Sequence, residues 1–163
     1  IDTSKVWALN ARRVEDAAKP LKPYHDRKDK ETWLESQEDD PELILHIPFT
    51  SAVRIKSFCV SGGVEGNAPT SVKLWVNRED IDFSNASDTT PTQAFDLAPD
   101  PDAEIDYPVK ATKFGSVHSV TLFFEDSVDG DQTLLYYLGF KGVDTKVRRG
   151  IVECVYESRP QLS

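Results

Sequence analysis

The chain has 163 residues, 39% of them hydrophobic and 10% aromatic, with a formal net charge of −9 and a pI near 4.8. A chain of that size and composition is expected to form one soluble globular domain that buries roughly 70% of the surface its unfolded state exposes. Disorder and a bilayer-spanning run of about 18 apolar residues are both excluded, and the acidic balance argues against a nucleic-acid backbone and for partners with basic patches.

Segment 1–10 has neither the basic start nor the apolar core of a signal peptide. The absence of Met, position 1 included, reads as a chain that begins inside or after a longer or processed product. Residues 1–32 are expected to form an arm that packs on the domain through Trp7, Leu9, Leu21 and Tyr24. A short helix is possible around 11–19, ended by Pro20 and Pro23. The next stretch, 35–42, carries Glu35, Glu38, Asp39, Asp40 and Glu42 around Pro41 and reads as an acidic surface loop. Leu43, Leu45, Ile47 and Phe49 then recur at spacing two, placing them on one strand face with Ile44 and His46 on the other. After a turn at Thr50 and Ser51, 53–60 supplies a second strand, so the two form a hairpin or cross between sheets.

Further strands are expected at 71–77, 92–97, 107–114, 119–125, 134–141 and 151–156, separated by the turn-rich clusters SGGVEGNAPT, FSNASDTTP, APDPDAEID and EDSVDGDQ. Segment 119–125 is apolar on both faces and reads as a central strand. About eight antiparallel strands with almost no helix predict an all-β jelly-roll β-sandwich. The sandwich is expected over 33–157 and a short tail over 158–163.

Nothing in the sequence assembles a catalytic or metal-binding constellation. His25, His46 and His118 lack the HxH or HExxH spacing that zinc requires, and Ser61-Gly62-Gly63 reads as a turn rather than a nucleophile elbow. Asp126, Asp129 and Asp131 around Gly130 offer oxygen ligands for calcium but lack the rest of an EF-hand, so a solvated hairpin tip is the plainer reading. Asp100, Asp102, Glu104 and Asp106 read as exposed charge. Trp33 and Trp75 could stack on sugar rings, with core packing as the ordinary alternative. Cys59 and Cys154 are far apart in sequence, which excludes a CxxC pair. Two reduced, buried thiols would suit a cytoplasmic or nuclear location, with a single disulfide between them left open. No cofactor is expected.

Several segments in order carry a family resemblance: LESQEDDPELILHIPF (34–49), VKLWVNREDIDFSN (72–85), PTQAFDL (91–97), TKFGSVHSVTLFF (112–124) and YYLGFKG (136–142). Together they resemble the PITH domain, the C-terminal module of a thioredoxin-like proteasome-associated protein that also occurs as a stand-alone protein. The flanks IDTSKVWALN and VDTKVRRGIVECVYESRP are more similar to the stand-alone form. The resemblance implies a galactose-binding-like jelly roll without catalytic chemistry, and a partner in the 26S proteasome, in its regulatory particle, or in a related quality-control complex.

The expected function is therefore a non-enzymatic, monomeric protein-interaction module. Glu35, Glu38, Asp39 and Asp40 would form an acidic rim, and Lys146, Arg148 and Arg149 a separate basic contact. A carbohydrate- or small-ligand-binding sandwich is the alternative, resting on fold analogy.

Overall fold

The computed structural model describes residues 1–63, 66–145 and 155–156. Among these, nine strands carry the regular structure: β1 (Trp7–Leu9), β2 (Leu34–Glu35), β3 (Leu43–Gly62), β4 (Ser71–Val76), β5 (Gln93–Asp96), β6 (Tyr107–Pro108), β7 (Val117–Phe124), β8 (Leu134–Asp144) and β9 (Val155–Tyr156). One layer runs β1, the first half of β3, β7, β4, β5. The other runs β6, the second half of β3, β8, β2, with β9 parallel to β8. All other pairings are antiparallel, and the result is a jelly-roll β-sandwich.

The strand expected as two pieces is one. In β3, Leu43–Pro48 faces β7, Val53 meets both Val117 and Asp144, and Ile55 through Gly62 faces β8. Thr50 and Ser51 do not turn the chain back. Ser51 Oγ donates to the Asp144 carboxylate at 2.6 Å and the Thr145 amide donates to the Ala52 carbonyl at 3.1 Å, so the end of β8 captures the bend. Pro48, which has no amide proton to give, sits at the register shift, and its carbonyl accepts the Asp2 amide at 2.8 Å.

Leu43, Leu45, Ile47 and Phe49 enter the core from the first half of β3, as their alternation predicts; Val53, Ile55, Phe58 and Val60 enter from the second. The step of three between Ile55 and Phe58 coincides with a second register shift, between Ile55 and Ser57. A bulge there returns the apolar residues to the inner face. β7 is central, between β3 and β4, with Val120, Leu122 and Phe124 turned inward.

The outer faces of the sandwich are also covered. On the first layer, Ile44, Trp75 and Phe123 pack with Ile81 and Ala86 of the loop that follows β4, flanked by Trp7 and Leu9 of β1. That loop is knotted by short polar contacts: Asp82 Oδ1 accepts the Ser84 amide at 2.9 Å, Asn85 Nδ2 donates to the Asp80 carbonyl at 2.6 Å, and Arg78 forks onto Asp80 at 2.8 Å. On the second layer Cys59 and Tyr137 lie under Ala103, with Tyr24 against them.

His46 shows how closed the outer face is. It is buried, stacked under Trp7 with ring centres 4.8 Å apart, and its Nδ1 lies 2.8 Å from Thr121 Oγ1. Thr121 Oγ1 donates its own proton to the Arg78 carbonyl at 3.0 Å, so it accepts from His46, which is the Nδ1–H tautomer. Burial holds the imidazole below its ordinary 6.5, against an opposing pull from Glu79.

Several expectations are corrected. The helix at 11–19 shrinks to one 3-10 turn, Val14–Asp16, because Ala11 is bridged to Ser36 and cannot begin a helix. The strand expected at 107–114 is Tyr107–Pro108 alone; the amides of Lys113 and Phe114 close back on the Lys110 carbonyl and swing Phe114 into the core. Ser61 and Gly62 belong to β3 rather than a turn, with Ser61 Oγ donating to the Pro101 carbonyl at 2.8 Å. Asp100 is buried, not exposed, because its carboxylate accepts the amides of Glu104 (2.9 Å) and Ile105 (2.8 Å) and so shapes its loop. The tip around Gly130 is exposed, as expected, and Asp129 Oδ1 accepts the Asp131 amide there at 3.0 Å. The strand expected at 151–156 is described only at Val155–Tyr156, and Cys154 and the tail 158–163 lie outside the described residues.

Two predictions follow from this packing. A Cβ on Gly142 would run into the backbone carbonyl of Arg54, opposite the β3 bulge. Gly142→Ala is expected to cost about 1–3 kcal/mol in urea unfolding; an unchanged midpoint would show that the strands are not so closely apposed. For His46, the unfolded chain takes up a proton that the fold disfavours, so the stability it confers is complete above about pH 6.5 and is lost as pH falls toward the lower folded value. Unfolding free energies at about pH 7.5 and about pH 5.5 should therefore differ more in the parent chain than in His46→Asn, which keeps a donor toward Thr121 without titrating. Equal pH dependence in the two would refute it.

Candidate functional site

The edge of the second layer, where the N-terminal arm meets β2, carries an open cleft of about 400 Å³ lined by Arg12, Arg13, Asp16, Lys19, Glu31, Thr32, Trp33 and Glu35. Its first wall exists because the arm runs antiparallel to the chain around β2. The Arg12 amide donates to the Glu35 carbonyl at 2.9 Å, the Gln37 amide to the Asn10 carbonyl at 3.0 Å, and Gln37 Nε2 to the Ala11 carbonyl at 2.9 Å. Asn10 takes the left-handed conformation at φ 67° that this reversal needs. Beyond the 3-10 turn, Ala17 and Leu21 join the core and the Leu138 amide donates to the Pro20 carbonyl at 2.9 Å.

The opposite wall is held by two lysines. Lys22 is buried, and its ammonium donates to the carbonyls of Asp29 and Thr32 at 2.8 Å each, pulling the loop in just ahead of Trp33. Lys30 donates to Ser61 Oγ at 3.2 Å and to the Pro101 carbonyl, and lies 5.0 Å above the Tyr136 ring. Burial lowers the pKa of both, opposed chiefly by Asp29 at Lys22 and by Asp102 and Asp100 at Lys30. Each ammonium here organises backbone oxygens.

Trp33 stands on this base. Core packing is the expectation for Trp33 and Trp75, and it holds for Trp75 alone: Trp33 is 37% exposed. Its Nε1 donates to Glu35 Oε2 at 2.7 Å, and its ring meets Tyr136 edge-on, 6.2 Å between centres at 75°. Glu35 is fixed in turn, because Gln132 Nε2 donates to its Oε1 at 2.9 Å and Arg12 lies 3.7 Å away. The indole is therefore both accessible and fixed in orientation.

The acidic segment does not present one uniform rim. Glu35 lies within β2 and inside the network just described. Glu38 is exposed and reaches Arg12 at 3.4 Å. Asp39 is exposed at the left-handed corner of the turn, φ 59°. Asp40 is half-buried, and its Oδ1 accepts the Glu42 amide at 3.1 Å. Burial, then Asp40 and Glu125, raises the pKa of Glu42. Lys146, Arg148 and Arg149 lie outside the described residues.

Two groups that could have been missed ligands or nucleophiles are committed to structure, while His25 and His118 are exposed. His46 is sealed under Trp7, Cys59 is buried beneath Ala103, and among the described residues no group of three or more His, Cys, Asp or Glu side chains is arranged to hold a metal ion. No helix there is long and apolar enough to cross a membrane. Sequence reasoning named Glu35 but missed Arg12, Arg13 and Lys19 as its neighbours. The available signal was the pairing of a basic arm with an acidic segment flanking one tryptophan, and the arm's return to β2 hid it.

The comparisons with known proteins agree with this architecture. The PITH domain family matches residues 1–160. The chain is 37% identical over 162 residues to PITH domain-containing protein 1 of Dictyostelium discoideum, covering 99% of this chain and 80% of that protein. It is 30% identical over 159 residues to the Homo sapiens protein of the same name, covering 97% and 74%. Among solved structures it resembles CBM32-3 from a family 31 glycoside hydrolase of Clostridium perfringens, with a TM-score of 0.57 and 12% identity over 88% of this chain and 94% of that one. It also resembles the CBM32-1 and CBM32-2 domains of Clostridium perfringens ZmpB in complex with GalNAc, with a TM-score of 0.59 and 10% identity over 90% and 36%. At such identities the likeness concerns the fold, which is galactose-binding-like. With matches this extensive in sequence and a sandwich of the expected kind, the chain belongs to the PITH domain family.

Proposed function

We propose that this domain is a non-catalytic protein-interaction module whose partner is the proteasome regulatory particle or a related quality-control complex. The observation that carries the interaction reading is Trp33, a large aromatic side chain held at the surface by a hydrogen bond, a ring contact and a braced carboxylate. An indole left accessible and ordered loses little conformational freedom when a partner covers it, which is the property of an interface anchor. The non-catalytic reading is supported by the engagement of the two acids on the Trp33 and arm side of the cleft: Glu35 receives Trp33 and Gln132, and Asp16 pairs with Lys19 at 3.1 Å, while Glu31 is exposed across from them. A carboxylate so engaged is poorly placed to accept a substrate proton.

The acidic turn beside the cleft, with Glu38 and Asp39 exposed, would steer encounter with a basic surface while the anchor sets residence time. The proteasome as partner rests on the family resemblance, whose thioredoxin-fused members associate with the 26S particle. A cytoplasmic or nuclear location and a monomeric state belong to the same proposal. A second reading, sugar binding, is favoured by the aromatic face among polar groups and by a fold shared with the GalNAc-bound domains.

The full chain, titrated onto immobilised regulatory particle, is expected to bind saturably and more weakly as salt rises. Replacing Glu38 and Asp39 together by lysine is expected to slow association about tenfold while leaving dissociation nearly unchanged. No binding at tens of micromolar, with a saturable thermal shift in N-acetylgalactosamine instead, would replace this reading by the second.

A further inference from the structure

The cleft around Trp33 balances Arg12, Arg13 and Lys19 against Asp16, Glu31 and Glu35, where the chain as a whole is strongly acidic. In two of its ion pairs the cation is the more exposed partner, whereas in the pair of Arg12 with Glu38 at the rim the carboxylate is, at 71% against 48%. Arg12 is 48% exposed over Glu35 at 21%, and Lys19 is 46% exposed over Asp16 at 18%. Arg13 is exposed on the same wall and has no ion-pair partner among the described residues. A ligand approaching Trp33 past Arg13 and Lys19 meets guanidinium and ammonium groups ahead of Glu35 and Asp16, with Glu38 to one side at the rim. Glu31, exposed on the far wall, limits the anion-binding part of the cleft to the arm side.

From this geometry we infer that the cleft binds an extended acidic segment of a protein partner, laying a proline or aromatic ring on Trp33 and a carboxylate against Arg13. Three features of the cleft define that occupant. The fixed indole offers a flat apolar face, and Arg13 offers a planar fork that matches a carboxylate. The volume of about 400 Å³ lies within the range of roughly 300–1,000 Å³ typical of ligand pockets and holds a few residues rather than a folded surface. Arg12, shared between Glu35 and Glu38 at 3.7 and 3.4 Å, can turn toward an incoming anion without unbracing Trp33, because Gln132 still holds Glu35. The inference rests on the interaction reading above, and it specifies the partner's chemistry at one place.

The indole N–H of Trp33 gives a direct readout, distinct from those of Trp7, which stacks on His46, and the buried Trp75. In two-dimensional 15N NMR of the full chain, a capped hexapeptide of alternating glutamate and proline is expected to move the Trp33 indole signal saturably, with submillimolar affinity that weakens with salt. The lysine–proline counterpart and N-acetylgalactosamine should leave it in place. Arg13→Glu, at an exposed position, and Trp33→Ala are each expected to lower affinity about tenfold or more. Trp33→Phe, which keeps a ring, should recover part of the loss, read from the amide shifts of residues 31–35. The inference is overturned if the acidic peptide leaves the signal unmoved at millimolar concentration, if the basic peptide or the sugar moves it equally, or if Arg13→Glu binds as the parent does. Regulatory-particle binding without a response to the peptide would sink this inference alone; a peptide response without particle binding would sink the proteasome partner alone.

Discussion

The structure depends on one strand being shared by two sheets. β3 gives its first half to β7 and β1 and its second half to β8 and β6, so neither layer can lose its pairing without exposing the other's core. Two local irregularities make this possible. The register shift after Pro48 lets the strand leave one sheet for the other, and the bulge before Ser57 restores the inward face after the bend. Without the second, Phe58 and Val60 would point away from the core that they complete, since a one-residue slip reverses every side chain.

The position of the cleft follows from that arrangement. With β3 in the middle of the second layer, β8 lies beside it and β2 beyond, so β2 is carried outward to an edge. The arm closes on that edge through Arg12, Ala11 and Asn10. Trp33 immediately precedes β2 and is placed where the layer ends, with Tyr136 of β8 against its ring. Its support comes from regular structure: Glu35 in β2, and Gln132 just ahead of β8. A group held this way is better suited to recognition than the same group on a free loop. The two outer faces are closed by Ile81 and Ala86 on one layer and by Ala103 and Tyr24 on the other, whereas the cleft at the edge stays open.

Much of the fold was legible because strand periodicity is local. Leu43, Leu45 and Ile47 declare an inner face, and Val120, Leu122 and Phe124 alternating with Thr121 and Phe123 declare a buried strand. What was hidden depends on distant partners. The continuity of β3 through Thr50 and Ser51 requires Asp144 and Thr145, about ninety residues on, to hold the bend. Asp100 looks like surface charge until the amides of Glu104 and Ile105 turn toward it. The site was harder still. Glu35 could be singled out as one of several acids, but its role as the brace of Trp33 needs Gln132, which lies far along the sequence. A tryptophan is buried on average, and the acidic segment after Trp33 hinted at exposure without showing what would hold the ring in place.

The most direct test of the shared strand is native-state hydrogen exchange along β3. Amides of Leu45 and Ile47 in the first half, and of Phe58 and Val60 in the second, should open with a single free energy that falls in parallel as urea is added. If one half exchanged through a lower-energy opening while the other stayed protected, the layers would be separable and β3 would not be what joins them.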